Sequence, residues 1–131
     1  FSPLARAFLT GKLKDVSVLE AKDIRRGMPR FSPENYAQNL QLLDQVEKVA
    51  KAENMTLTQL SLAWLLAQGD NIIPIPGTTN LDHLKENISA VECSLSAEAS
   101  AQLDQLINQQ TVVGHRYNPA TQAEIDTEEF V

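Results

Sequence analysis

The apolar positions of this chain fall into helical rows separated by short breakers. Tyr36, Leu40, Leu43, Val46 and Ala50 recur every three or four residues with polar residues between them, which predicts an amphipathic helix. Ser32-Pro33-Glu34 supplies its start: a capping hydroxyl, a proline in the first turn and an acid near the positive end of the dipole. The helix should run to about Glu53, with Asn54 as its stop. Thr56 opens a second helix, in which Leu57, Leu60, Ser61, Trp64 and Leu65 share a face, and Gly69 ends it. Ile72-Ile73-Pro74-Ile75 is a short β-branched run, and its length predicts a buried parallel strand if Pro74 sits at the strand's end. Gly77-Thr78-Thr79-Asn80 reads as a turn and cap before a helix from Leu81 to about Val91. Ser96 caps another helix, with Leu103, Leu106 and Ile107 on its apolar face. At the front, Phe1-Ser2 reads as a strand end followed by a turn and a short helical run. Residues 13–33 form a long irregular stretch with a basic cluster, Lys22, Arg25, Arg26 and Arg30. Residues 111–131 have no sustained period and should lie over the surface or be mobile. This order of elements points to the α/β class with parallel strands.

Composition narrows the function classes. The chain has 131 residues, enough for one domain, and its hydrophobic share of 43% and charged share of 21% are ordinary globular usage. Lys and Arg number 11 against 17 Asp and Glu, a net charge of -6, which argues against a nucleic-acid partner. A local basic cluster can still hold one phosphorylated ligand. The single cysteine, Cys93, excludes an internal disulfide framework and fits a reducing, cytoplasmic compartment. No apolar run approaches the roughly 18 residues of a membrane span, and no signal peptide is visible. The chain opens directly on Phe1-Ser2-Pro3-Leu4, which reads as a start inside a larger unit.

Candidate chemistry concentrates at one turn. Ile75-Pro76-Gly77-Thr78-Thr79-Asn80 leads into a helix N-terminus, where backbone N–H groups attract anions and glycine permits close approach. An ordinary strand-to-helix turn has the same composition. His83, Glu86 and Asn87 follow on one helix face, which reads either as a solvated surface or as a grip on a nucleotide. His83 and Glu86 are too few for a zinc site. Cys93 reads as a buried structural thiol, Tyr36 and Trp64 as core, and Tyr117 as a residue able to lie over a pocket. Arg25, Arg26 and Arg30 read as a solvated loop, with phosphate binding as the alternative, and Glu124, Asp126, Glu128 and Glu129 as a solvated tail.

Two segments in order carry a family resemblance. Phe1-Ser2-Pro3-Leu4-Ala5-Arg6-Ala7-Phe8-Leu9-Thr10-Gly11-Lys12 resembles the loop after the seventh barrel strand of aldo-keto reductases. Ile73-Pro74-Ile75-Pro76-Gly77-Thr78-Thr79-Asn80, followed by Leu84, Glu86-Asn87 and Ala90, resembles their eighth strand and cofactor-gripping helix. The intervening Leu62-Ala63-Trp64-Leu65-Leu66 and the loop motifs Asp23-Ile24-Arg25-Arg26, Pro29-Arg30-Phe31 and Gly114-His115-Arg116-Tyr117 also fit. The resemblance implies the C-terminal part of a (β/α)8 TIM barrel, with residues 1–131 as its last third and 111–131 as a tail. It implies NADP(H) as cofactor, a small-molecule carbonyl substrate and the remainder of the barrel as partner. Phe1 would stack on the nicotinamide, and Ser2, Pro3, Leu4, Arg6 and Lys12 would follow the pyrophosphate and its ribose. Gly77, Thr78 and Thr79 would meet the adenosine ribose and 2′-phosphate, and Glu86 and Asn87 the adenine edge. His83 replaces a frequent arginine, which makes preference for NADPH over NADH less secure. Ala5 and Ala7 stand where the family often has glycine, so left-handed backbone is harder to make there. None of the family's catalytic Asp, Tyr, Lys and His can be placed in this sequence, so the chain alone should not reduce a carbonyl. A non-catalytic NADPH-sensing module on the same fold, and a partner-binding α/β domain without cofactor, are the other classes.

Overall fold

A computed structural model describes residues 1–125, and its regular elements are helices. We label the α-helices α1 (Pro33–Ala52), α2 (Leu57–Leu66), α3 (Leu81–Ser89), α4 (Ala97–Leu106) and α5 (Pro119–Ala123). Each starts where the sequence offers a polar cap. The Ser32 and Ser96 hydroxyls accept from the amides of Asn35 and Ala99. Thr56 and Gln59 form a reciprocal capping box, at 2.9 and 3.1 Å. Asn80 accepts from the Asp82 and His83 amides, at 2.8 and 3.2 Å. Helix α1 stops as expected, with Asn54 in the left-handed conformation at φ 57°.

The core lies between α1, α2 and α4. Val46, Val49, Ala50, Leu60, Ala99 and Leu103 pack together, with Trp64 and Leu57 against them. Two polar contacts fasten this layer. Ser96 donates through its hydroxyl to Glu53 at 2.8 Å, joining the end of α1 to the start of α4. Trp64 Nε1 donates to Asp104 at 3.0 Å, joining α2 to α4. Helix α2 is buried more widely than its period predicts: Thr58, Leu62 and Ala63 are buried as well as Leu60. The reason is that α3 and the turn after it pack on the other side, where Gln59 donates to Ser89 at 2.9 Å. Helix α2 also ends at Leu66, before Gly69.

The expected strands are not formed among the described residues. Residues 72–75 run without a ladder, and Ile73 and Ile75 are 81% and 62% exposed. A strand needs a neighbour, Pro74 and Pro76 offer no N–H, and the Phe1-Ser2 end is itself in no ladder. The α/β expectation is thus not met by these residues on their own.

The long loop is more ordered than its composition predicts. Residues 13–33 contain short 3-10 turns at Val16–Val18, Ile24–Gly27 and Pro29–Phe31. Tyr36 holds the loop down as part of the core: its ring stacks on Phe31 at 5.5 Å and meets Phe8 edge-on at 5.7 Å, and its hydroxyl donates to the Leu13 carbonyl at 2.8 Å. The segment before α5 lies over α1. Asn39, buried on α1, exchanges two hydrogen bonds with the Val113 backbone, at 3.0 and 2.9 Å. Next to it, Gly114 has φ 90°, and a Cβ there would stand 2.8 Å from the Asn35 amide and 3.0 Å from backbone atoms of Pro29 and Arg30. Only glycine permits that approach. The acids Asp126, Glu128 and Glu129 lie outside the described residues. Among the described residues, no helix is long and apolar enough to cross a membrane.

Candidate functional site

The segment 2–12 is built on left-handed backbone. Ser2, Ala5, Arg6 and Ala7 have φ of 51°, 48°, 54° and 72°. The loop therefore curls tightly, ends in a 3-10 turn at Phe8–Thr10, and brings both Arg6 and Lys12 to one side. Two alanines and an arginine sit in conformations that glycine adopts freely. A second loop buttresses the curl. Arg25 donates to the Arg6 carbonyl at 3.3 Å and pairs with Asp23 at 2.7 Å. The hydrogen bonds from Arg25 hold the Asp23 carboxyl down at about 2.

Facing this loop is the N-terminal end of α3 with the turn before it. Between them lies a cavity of about 460 Å³. It is lined by Ser2, Pro3, Leu4, Arg6 and Lys12 from the loop and by Gly77, Thr78, His83, Glu86 and Asn87 from the turn and α3. Ten of the twelve residues singled out in the sequence thus share one space. The other two do not: Thr79 is exposed outside it, and Phe1 lines a neighbouring cavity. Lys12 Nζ donates to His83 Nε2 at 2.6 Å when the ring is neutral, so the two walls touch across residues 12 and 83.

Of the other lining residues, Ile24 and Arg25 come from the loop motif already noted, Arg25 with phosphate binding as its alternative reading, while Thr58 was not singled out by the sequence. Thr58 and Asn87 are 4% and 8% exposed. Neither side chain makes a hydrogen bond among the described residues, and no fully enclosed polar atom lacks a partner. Both residues line the cavity, so their polar atoms are open to it.

Phe1 lies beside this space. Its ring, in a residue 63% exposed, carries the Arg116 guanidinium at 4.3 Å, and Tyr117 flanks the same guanidinium at 5.6 Å. Arg116 thus lines the neighbouring cavity with Phe1, and Tyr117 stands behind it. Tyr36 lines neither of these cavities, being held in the core. Cys93 is half-buried, its thiol 3.6 Å from the Ser89 carbonyl.

A family model described as "Aldo/keto reductase family" matches residues 1–108. "Aldo-keto reductase yakc [NADP(+)]" of Schizosaccharomyces pombe is 43% identical over 125 residues, 95% of this chain and 37% of that protein. "Aldo-keto reductase str7" of Strobilurus tenacellus is 38% identical over 116 residues, 88% of this chain and 34% of that protein. The chain spans little more than a third of the length of these curated relatives. No solved structure gives a significant match.

Proposed function

The chain belongs to the aldo/keto reductase family, and on that premise we propose that it forms the last third of a (β/α)8 barrel enzyme that reduces aldehydes or ketones with NADP(H). The observation that carries this reading is the 460 Å³ cavity, where segments far apart in sequence converge beside the buried side chains of Thr58 and Asn87. Those two side chains, with Glu86, fit the donors and acceptors of an adenine edge. Arg6 and Lys12 fit phosphate groups. A Cβ built on Gly77 would meet no atom within 4 Å, so the backbone there is open to a close ligand.

In this assignment Phe1 offers its flat face to the nicotinamide, and Ser2, Pro3, Leu4, Arg6 and Lys12 hold the pyrophosphate and its ribose. Gly77, Thr78, Thr79 and His83 meet the adenosine ribose and 2′-phosphate. When bound, NADP(H) supplies the hydride. The chain's own work is to orient the cofactor and, through Phe1, to keep water from one side of it. In this reading the proton comes from a residue outside this chain, and Tyr36 does not supply it, being buried and already donating to the Leu13 carbonyl. The remainder of the barrel, as partner, would cover the apolar side chains left exposed on and after α3: Leu81, Leu84, Ile88 and Val91.

The test uses the whole protein that carries this chain. NADPH fluorescence should be quenched saturably, Lys12→Met should weaken the affinity about tenfold, and NADPH should be consumed when an aldehyde is added. Absence of NADPH binding overturns the proposal. Binding without turnover on any carbonyl overturns the enzymatic part and leaves a nucleotide-sensing module.

A further inference from the structure

The two walls of the 460 Å³ cavity meet at one point, where Lys12 Nζ stands 2.6 Å from His83 Nε2. An ammonium has hydrogens to give and no lone pair, so this contact requires a neutral ring that accepts at Nε2. A charged ring has no lone pair left and would set two cations against each other. Neither residue has an ion pair among the described residues.

The surroundings of the pair favour an anion. His83 lies in the first turn of α3, where its amide donates to the Asn80 side chain at 3.2 Å and the helix end attracts negative charge. The other charged groups that line the same space are Arg6 from the loop, Arg25 from the stretch behind it and Glu86 from α3. Arg25 is already engaged by Asp23 at 2.7 Å. Outside the cavity, Asp82 on α3 stands 4.0 Å from Lys85. Residues 75–78 and α2, through Thr58, bring no charge to it. Among side chains of these types, only histidine ordinarily changes charge near neutral pH.

We infer that the 2′-phosphate of NADPH replaces His83 as the partner of Lys12 and that His83 then takes up a proton at Nε2, so that NADPH is bound with proton uptake and NADH without it. The inference rests on the NADP(H) reading proposed above and adds a pH-dependent choice of cofactor. The balance is one proton from solvent to Nε2: the Lys12–His83 hydrogen bond is lost, and the ring becomes a second cationic donor to the phosphate. An arginine carries its charge at every pH, whereas a histidine makes the grip conditional. A phosphate monoester is mostly dianionic above about pH 7, so from there upwards the ring governs the dependence.

The whole protein that carries this chain would be titrated with NADPH by fluorescence from pH 7 to about 8.5, as wild type, His83→Gln and His83→Arg. In the wild type the Kd should rise about fivefold over that range. In both variants it should stay within about twofold, weaker throughout in His83→Gln and tighter in His83→Arg. NADH, tested up to millimolar concentration, should show no such slope. Calorimetry near pH 7.5, in buffers of different ionisation enthalpy, should give uptake of about half a proton per NADPH in the wild type and none in His83→Gln. A wild-type Kd that is flat with pH overturns the inference and leaves the proposed function intact. A slope that persists in His83→Gln, or that NADH shares, puts the titrating group elsewhere and also overturns it. A protein that binds neither dinucleotide brings down both proposals together.

Discussion

Ala5 and Ala7 hold backbone conformations that a Cβ disfavours, at φ 48° and 72°. Such conformations cost on the order of 1 kcal/mol each and persist where surrounding contacts determine them, here the Arg25 bond to the Arg6 carbonyl. Replacing both alanines by glycine should therefore stabilise the protein by about 1 kcal/mol, after the greater entropy lost by glycine is taken into account. A denaturant midpoint that rises at constant slope is the expected readout, and a falling midpoint would show that the curl is not strained. These alanines were legible in the sequence only because glycines are usual there in the resembling family. Capping residues were legible without any such help, because a cap is decided by its own three or four neighbours: Ser32, Thr56, Asn80 and Ser96 all do what their positions predict. Asn39 and Thr58 were not, since each is a polar residue at a position buried by segments distant in sequence.

At the scale of elements, helices were read well and strands were not, for one physical reason. A helix satisfies its own backbone, so a row such as Tyr36 to Ala50 carries its own evidence. A strand is satisfied by another strand, and residues 72–75 have none among the described residues. The stretch 13–33 was read as irregular and its arginines as solvated, yet its Asp23–Arg25 pair supports the curl of residues 2–12. This element carries a pH dependence. The Asp23 carboxyl is depressed to about 2 in the folded chain, so its contribution is fully present above the unfolded value near 4 and is lost as pH falls towards 2. The denaturant midpoint measured from pH 5 down to pH 2 should therefore fall more steeply in the wild type than in Asp23→Asn, which should already be less stable at pH 7. Parallel pH profiles in the two proteins would remove Asp23 from that role.

For the whole molecule, the apolar surface is the telling property. Leu81, Leu84, Ile88 and Val91 are 64%, 43%, 59% and 70% exposed, and Ile73 is 81% exposed. Side chains of this kind, grouped together, mark a surface that another segment covers. In the whole protein that carries this chain, Ile88→Glu should cost about 2 kcal/mol or more, because a charge would replace a buried side chain. On a surface that faces water, the same change should stay within about 0.5 kcal/mol. Thermal or denaturant unfolding of the two proteins distinguishes these outcomes. The relatives, nearly three times as long as the matched segment, have the chain length to supply such a cover.

The pair of hydrogen bonds between Asn39 and the Val113 backbone ties a helix-free segment to a buried position on α1. The amide of Val113 donates to a side chain that is 4% exposed. It can meet solvent only when that part of α1 comes away from its cover. In deuterated water it should exchange as slowly as the amides of the helical core, and not on the timescale of a loop. The stretch that presents Arg116 thus opens together with the hydrophobic interior, and loosening the interior anywhere along α1 would be felt beside Phe1 as a loss of protection at a single amide.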